Sequence, residues 1–171
     1  MVGLTEWLCW EDGLISVKPR TSQRRYLVVL SDNLVADSRM LRDLHSQGVA
    51  HLAVRVRDGT GLVGPLVVPG VTSCLGCADL HRRDRDAAWP AVAAQLRDTV
   101  GVADRPTLLA TAALALSQVN RVIGAVRGSQ AGREPGSDPG PPPALNVTLE
   151  FDVHAGSIVA RHWPRHPLCA C

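Results

Sequence analysis

The chain has 171 residues, a formal net charge of +2, a hydrophobic content of 46% and a charged content of 20%. These values are typical of one globular domain with its own core. The small net charge argues against nucleic-acid binding, which needs dense positive patches. No uninterrupted apolar run approaches the roughly 18 residues that span a bilayer, and no secretory signal pattern opens the chain. We therefore expect a cytoplasmic protein that contacts neither nucleic acid nor membrane.

Four of the five cysteines form two close pairs, Cys74 with Cys77 and Cys169 with Cys171. Two short pairs brought together by the fold match the pattern of a four-thiolate structural zinc site. In the first pair, Gly76 permits a tight turn, because glycine adopts backbone angles that other residues resist. In the second pair, the spacing of two residues places both sulfurs on one side of an extended segment. We therefore predict a structural Zn²⁺ site with Cys74, Cys77, Cys169 and Cys171 as its ligands.

Reduced thiols and disulfides are the alternatives to a metal site. Disulfides need an oxidising compartment, and the odd number of cysteines leaves Cys9 without a partner. No neighbouring base would activate Cys9, so we expect an unreactive thiol there.

His162 and His166 lie near the final pair and could replace a thiolate. Because four cysteines already satisfy the metal, we expect both histidines outside the ligand set.

From Tyr26 onward the sequence alternates between strand and helix patterns. Residues 26–31 are a short, β-branched run typical of a buried parallel strand. Residues 36–47 carry apolar side chains at helical spacing, and Gly48 follows where a C-cap glycine belongs. A further strand over residues 51–56 completes a strand–helix–strand unit with a parallel pair. The fold class is therefore α/β.

The second half of the chain adds antiparallel strands and two helices. A strand is predicted over residues 62–68, and helices over 86–100 and 107–127. Strict alternation after residue 144, with a turn at Ala155-Gly156, predicts a hairpin that leads to the last cysteine pair. The long helix has one apolar stripe, for which we expect core packing: Leu108, Leu109, Ala112, Leu116, Val119, Ile123 and Val126.

Three segments fall outside this pattern. Residues 1–25 show little periodicity and are expected to be a poorly ordered extension, which leaves residues 26–171 as a single domain. Residues 128–143 are rich in Gly and Pro and are expected to be a mobile loop within that domain. Residues 81–86 interleave arginines with carboxylates and are expected to be solvated surface.

The sequence resembles the ThiF/MoeB-like branch of the ubiquitin-activating-enzyme superfamily. The resemblance is carried by the order "VVLSDN", helix, "GVAHLAVRVRDGTGLVGPLVVPGVTSCLGC", long helix, hairpin and terminal cysteine pair. More narrowly, the chain is similar to actinobacterial ThiF-like proteins that act in azol(in)e peptide (TOMM) biosynthesis as leader-peptide-binding or cyclodehydratase partner proteins. The resemblance runs from about Tyr26 to Cys171. It implies the C-terminal part of a ThiF-like Rossmann-type fold with a mixed sheet and a structural zinc site, truncated at the N-terminus.

In this family an aspartate that follows a strand helps to hold the magnesium of ATP, and a carboxylate is activated as an acyl-adenylate. Asp32 and Asn33 occupy the matching place here, so the resemblance implies a relic of a Mg-ATP site. Capping of the next helix is the alternative role of Asp32. The family's Gly-x-Gly-x-x-Gly turn has no counterpart before Asp32, where Gly3 and Gly13 are isolated. A longer natural N-terminus would supply that turn.

Two functions follow from these observations. The first is a zinc-stabilised scaffold without complete adenylation machinery, which binds a peptide, a carrier-protein tail or a partner subunit. An open sheet edge at Tyr26 would accept a strand from that partner. The second is an adenylyltransferase whose ATP and Mg²⁺ site is completed by another chain, with Arg82, Arg83 and Arg85 as phosphate contacts. The missing glycine turn favours the first function, and the exposed edge favours a homo-oligomer.

Overall fold

The computed structural model describes residues 6–11, 14–19, 25–31, 33–128 and 142–171. Within these residues the strands are β1 (Glu6–Glu11), β2 (Leu14–Pro19), β3 (Arg25–Leu30), β4 (Ala50–Arg57), β5 (Thr60–Val67), β6 (Val147–Asp152) and β7 (Ser157–His162). The helices are α1 (Ser38–Ser46), α2 (Leu75–Arg85), α3 (Trp89–Leu96) and α4 (Arg105–Gly128). All seven strands form one sheet in the order of the chain. β3 and β4 are parallel and the other neighbouring strands are antiparallel, so the fold is the predicted mixed α/β type.

β1 and β2 form a hairpin that continues the sheet beyond β3, with Ile15 opposite Leu27. The sequence predicts little regular structure before Tyr26 and an open edge at the strand there. β2 pairs with β3, so the strand at Tyr26 is not an open edge of the sheet. The poor order expected of residues 1–25 stays a prediction. β1 contains two tryptophans and β2 contains Ile15 and Val17, which are residue types that favour sheets, and the sequence Asp12-Gly13 between them is a dipeptide that favours two-residue hairpin turns.

β3, α1 and β4 form the predicted strand–helix–strand unit. Asp37 caps the start of α1, because its carboxylate accepts the backbone N–H of Arg39 at 2.7 Å and of Met40 at 3.0 Å. The hydrogen bonds from Met40 and then Arg39 lower the pKa of Asp37. After Ser46 the chain leaves the helix through Gly48, whose φ of +68° is the left-handed conformation expected of a C-cap glycine.

Apolar clusters lie on both faces of the sheet, since adjacent residues of a strand point to opposite faces. The cluster under α4 contains Leu27, Leu52, Val63, Leu66, Ala115, Val119, Ala144, Val147 and Leu149. The smaller cluster, on the side of α1 and α2, contains Ala53, Val67 and Leu75. By length and composition Arg105–Ala125 could cross a membrane, with a mean hydropathy of 1.3. In the structure, however, its Ala115 and Val119 pack on the sheet.

The face that α4 buries differs from the predicted apolar stripe. Its buried side chains are small or polar: Thr107, Thr111, Ala115, Gln118 and Val119. Core packing is the wrong prediction for Leu108, Leu109 and Leu116, which are 46%, 72% and 58% exposed. The physical reason is the close approach of α4 to β5. A Cβ on Gly61 would collide with Thr111, so only small side chains fit between the two elements.

The Gly- and Pro-rich segment predicted as a mobile loop lies mostly outside the described residues. Of residues 128–143, only Gly128, at the end of α4, and residues 142–143 are described. The loop prediction therefore stays a prediction.

Candidate metal centre

The first cysteine pair lies at the start of α2, an element that the sequence does not predict. Cys74 is the N-cap residue and Cys77 lies in the first turn. Because positions three apart share one face of a helix, both sulfurs point to the same place, 3.8 Å apart. Gly76 is helical rather than left-handed, which corrects the expected turn. Gly76 instead lets the helix backbone lie close to two of the sulfurs, since a Cβ there would be 3.4 Å from the Cys74 sulfur and 3.6 Å from the Cys169 sulfur.

Trp163 carries the chain from β7 to the second cysteine pair. It is 2% exposed, and its backbone N–H donates to the Asn146 carbonyl at 2.8 Å. Its indole N–H donates to the Thr148 hydroxyl at 3.0 Å. These bonds hold the start of the C-terminal segment against β6, and the backbone N–H of Cys169 then donates to the His166 carbonyl at 3.0 Å.

The four cysteine sulfurs form one cluster. The Sγ atoms of Cys74 and Cys169 are 3.5 Å apart, those of Cys77 and Cys171 are 3.3 Å apart, and all four lie within 4.8 Å of one another. A tetrahedral ion with metal–sulfur bonds of about 2.3 Å holds its sulfurs about 3.8 Å apart. A disulfide needs about 2.05 Å, and none of the four cysteines forms one. The cluster could therefore hold a metal ion such as zinc with little rearrangement.

The protonation of these thiols depends on burial and on nearby N–H groups. Desolvation raises the pKa of Cys74 and of Cys171. At Cys77 desolvation acts in the same direction, but hydrogen bonds from the backbone N–H groups of His166 and Cys74 outweigh it and lower the pKa to about 7. Only a cation can stabilise four thiolates at such short distances, so metal binding would release protons.

His166 lies beside the cluster but does not point a free nitrogen into it. Its side chain is buried, Nε2 is 2.7 Å from the Asp84 carboxylate, and Nδ1 accepts the backbone N–H of Leu168 at 3.1 Å. Because Nδ1 accepts a hydrogen bond, Nε2 carries the proton toward Asp84 and lowers the pKa of that carboxyl. His166 thus ties α2 to the segment that bears the second pair. His162, the other candidate, is exposed.

Asn146 connects the residue before the first cysteine pair to β6. Its Oδ1 accepts the backbone N–H of Ser73 at 2.7 Å and the Ser73 hydroxyl at 3.0 Å. Ser73 is fully buried, so these donors have no access to water. Asn146 has a φ of +57°, a left-handed conformation that asparagine tolerates better than most residues.

We expect Asn146→Ala to lower the free energy of unfolding of the metal-loaded chain by about 2–3 kcal/mol, since buried donors lose their acceptor. Asn146→Gly is the matched control, because glycine removes the same hydrogen bonds but adopts the left-handed conformation without strain. Asn146→Gly should therefore lower the free energy of unfolding by less than Asn146→Ala does, but it should still be less stable than the parent. Urea unfolding measures all three chains. A glycine variant as stable as the parent would show that the Ser73 contacts contribute nothing.

The other predicted site residues lie where β3 ends. Asp32 is outside the described residues. Asn33 lines a cavity of about 230 Å³ together with Ser31, Arg55 and mostly apolar side chains of β4 and α4. Among the described residues of this cavity, Arg55 is the one cation.

A Gly-x-Gly-x-x-Gly pattern does occur, at Gly59, Gly61 and Gly64, but its context is not that of a phosphate-binding turn. These glycines lie in the β4–β5 turn and within β5, which continues as a strand. A Cβ on Gly61 would collide with Thr111, and one on Gly64 with the Val147 carbonyl oxygen. The glycines therefore allow close packing of α4 and β6 on β5.

The structure also shows an arginine–tryptophan contact that the sequence does not predict. Arg82 belongs to the stretch expected to be solvated, yet its side chain is only 19% exposed. Its guanidinium lies 5.1 Å from the ring centre of Trp89 and 4.6 Å from that of Trp163, and it donates to Asp79 at 2.8 Å. The expectation fails because Trp163, 81 positions further along, folds back over α2.

No protein-family model and no curated protein sequence matches the chain. Solved structures do match. E. coli MccB with ATP is 18% identical with a TM-score of 0.58, over 88% of this chain and 40% of MccB. MccB in complex with N-formylated MccA is 18% identical with a TM-score of 0.56, over 88% and 42%. A heterocyclase in complex with substrate and cofactor is 16% identical with a TM-score of 0.64, over 88% and 20%.

The chain thus spans about two fifths of MccB and one fifth of the heterocyclase. At these identities the likeness shows a shared fold. The chain therefore has the fold of these parts of MccB and the heterocyclase.

Proposed function

We propose that this chain is a ThiF-like binding module, stabilised by a structural zinc ion, that binds a peptide, a carrier-protein tail or a partner subunit. In this proposal the chain does not adenylate a carboxylate by itself. The shared fold supports it, because the related structures include MccB with the peptide MccA and a heterocyclase with its substrate. Self-association through the exposed leucines of α4 is part of the same proposal.

The observation that carries the proposal is the scarcity of phosphate-binding groups among the described residues that line the cavity beside Asn33. Adenylation needs cations and oriented N–H groups around the transferring phosphates. Among the described residues that line the cavity beside Asn33, Arg55 is the one cation, its side chain points to the other face of the sheet, and most of the wall is apolar. The glycine pattern over residues 59–64 packs against α4 and β6 instead.

The second candidate is an adenylyltransferase whose nucleotide site is completed by another chain. Two observations favour it. Ser31-Asp32-Asn33 follows a strand at the place where the resemblance expects a magnesium ligand. MccB, which shares the fold, has been solved with ATP.

ATP–pyrophosphate exchange separates the two candidates. We expect no exchange above background from the zinc-loaded chain, alone or mixed with peptides and proteins encoded beside it. We also expect native mass spectrometry to detect a complex with at least one of them. Exchange that appears with a partner, is abolished by Asp32→Asn and survives Asp58→Asn would overturn the scaffold proposal. Asp58 is the matched control because its side chain is 92% exposed and asparagine tolerates its left-handed backbone.

A further inference from the structure

A groove lined by arginines and tryptophans crosses the sheet on the face opposite α4. Leu52 and Val54 of β4 pack toward α4, so the alternate residues Arg55 and Arg57 point to the other face. We call this the arginine–tryptophan groove. It has a volume of about 260 Å³ and is lined by Arg57, Arg82, Arg85, Asp86, Trp89, Glu150, Arg161 and Trp163.

Two of the four arginines of the groove have strong acidic partners. Arg161 donates to the Glu150 carboxylate at 2.7 and 3.0 Å, and this hydrogen-bonded pair lowers the pKa of Glu150. Arg82 donates to Asp79 at 2.8 Å. These pairs are therefore locally neutral.

The other two arginines leave the groove positively charged. Arg57 comes no closer than 3.9 Å to Asp58, and both side chains are exposed. Arg85 lies 5.5 Å over the ring of Trp163 and forms no ion pair with a described residue. Their guanidinium groups therefore remain available to an anionic ligand.

A fifth arginine lies beneath the groove. Arg55 lines a partly open cavity of about 30 Å³ that also contains Asp79 and shares Arg57, Arg82 and Trp89 with the groove. Such a volume holds about two water molecules or one small charged group. Burial and then the neighbouring charge of Arg82 lower the pKa of Arg55 to about 10, whereas the nearby Asp79 carboxylate acts in the opposite direction; within the described ranges the Arg55 guanidinium has no direct hydrogen bond or ion pair. Asp79 is already hydrogen-bonded to Arg82, so Arg55 is a partly buried cation without a direct partner, which opposes folding unless a further anion approaches it.

We propose that the arginine–tryptophan groove binds an acidic peptide segment, one carboxylate of which enters the cavity and pairs with Arg55. The inference rests on the proposed function as a peptide-binding module and specifies the chemistry of the peptide. Guanidinium groups bind carboxylates through paired hydrogen bonds, and Arg57 and Arg85 lie where further acidic side chains would contact them. β7, which carries Arg161, is an edge of the sheet, so an extended peptide can lie alongside it.

Binding of two synthetic peptides to the full zinc-loaded chain tests the proposal. An acetylated and amidated (Glu-Ala)4 peptide should bind with salt-sensitive affinity, at least about tenfold more tightly than (Gln-Ala)4, since charge-assisted hydrogen bonds are lost in the second. Tryptophan fluorescence reports binding through Trp89 and Trp163. Arg55→Met and Arg85→Gln should each weaken binding of the acidic peptide by about tenfold. Arg105→Gln removes the same charge outside the groove and should change the affinity less than about twofold.

Thermal unfolding separates a ligand-binding Arg55 from a merely structural one. Replacing an unpaired buried charge by methionine should leave the melting temperature unchanged or raise it, whereas loss of a structural arginine would lower it. Equal affinity for the two peptides, no binding of either, or full binding to Arg55→Met would overturn the inference. So would binding of inorganic phosphate that depends on Arg55 and displaces the peptide, because the groove would then be a phosphate site. In each case a partner complex in native mass spectrometry would leave the proposed function intact.

Discussion

The purified chain is expected to contain one zinc ion, and removal of that ion by a chelator is expected to abolish cooperative unfolding. The four sulfurs join the start of α2 to the C-terminal segment, which are more than 90 positions apart in the sequence. Structural zinc contributes about 10–16 kcal/mol in small metal-dependent domains, whereas whole domains are stable by only about 5–15 kcal/mol. Loss of the metal therefore removes a stabilisation comparable to the whole stability of the fold.

Metal content by mass spectrometry and thermal unfolding with and without chelator are the measurements. Added zinc should restore the transition. Cys77→Ser and Cys171→Ser each remove one ligand and should lower both zinc content and melting temperature. Cys9→Ser is the matched control, since Cys9 is the fifth cysteine, belongs to β1 and is not one of the predicted ligands. A metal-free chain that unfolds at the same temperature as the purified protein would refute the zinc proposal.

The metal site should also make the free energy of unfolding increase with pH. Zinc binds thiolates, so bound metal lowers the pKa of each cysteine below its value in the unfolded chain. The zinc contribution is therefore fully present at high pH and is lost as the pH falls through the range in which protons displace the metal.

Gly64→Ala is expected to destabilise the metal-loaded chain by about 3 kcal/mol or more. Gly64 has a φ of +104°, which side-chain-bearing residues rarely adopt. An added Cβ would also collide with the carbonyl oxygen of Val147 and lie 3.2 Å from the Cβ of Ala144. The obstacle is backbone of β6, which is fixed by its pairing with β5 and β7, so it cannot move aside as a flexible side chain would.

Gly48→Ala is the matched control for this effect. Gly48 also has a positive φ, but nothing lies within 4 Å of the position that its Cβ would occupy. Its substitution should cost only the left-handed backbone strain of about 1–2 kcal/mol. Urea unfolding of the two variants measures the difference. Equal losses would mean that the contact between Gly64 and β6 adds nothing to the cost.

Much of the fold follows from local signals in the sequence. The helix pattern before Gly48 and the alternation before Ala155 predict α1 and β6 within a few residues of their observed ends. These predictions succeed because hydrophobic spacing and turn residues act over a few neighbouring positions. The sequence does not predict α2, because the spacing of Cys74 and Cys77 is compatible with either a tight turn or the start of a helix.

The sequence by itself determined the two cysteine pairs as candidate metal ligands and most of the strand and helix positions from β3 onward. Only the tertiary structure decided that Cys74 lies against Cys169, that Ser73 pairs with Asn146, and that Trp163 covers Arg82. These contacts join residues 73 to 95 positions apart. The geometry of these contacts depends on the order of the strands and on how closely the helices pack. A pattern of neighbouring residues does not specify either of them.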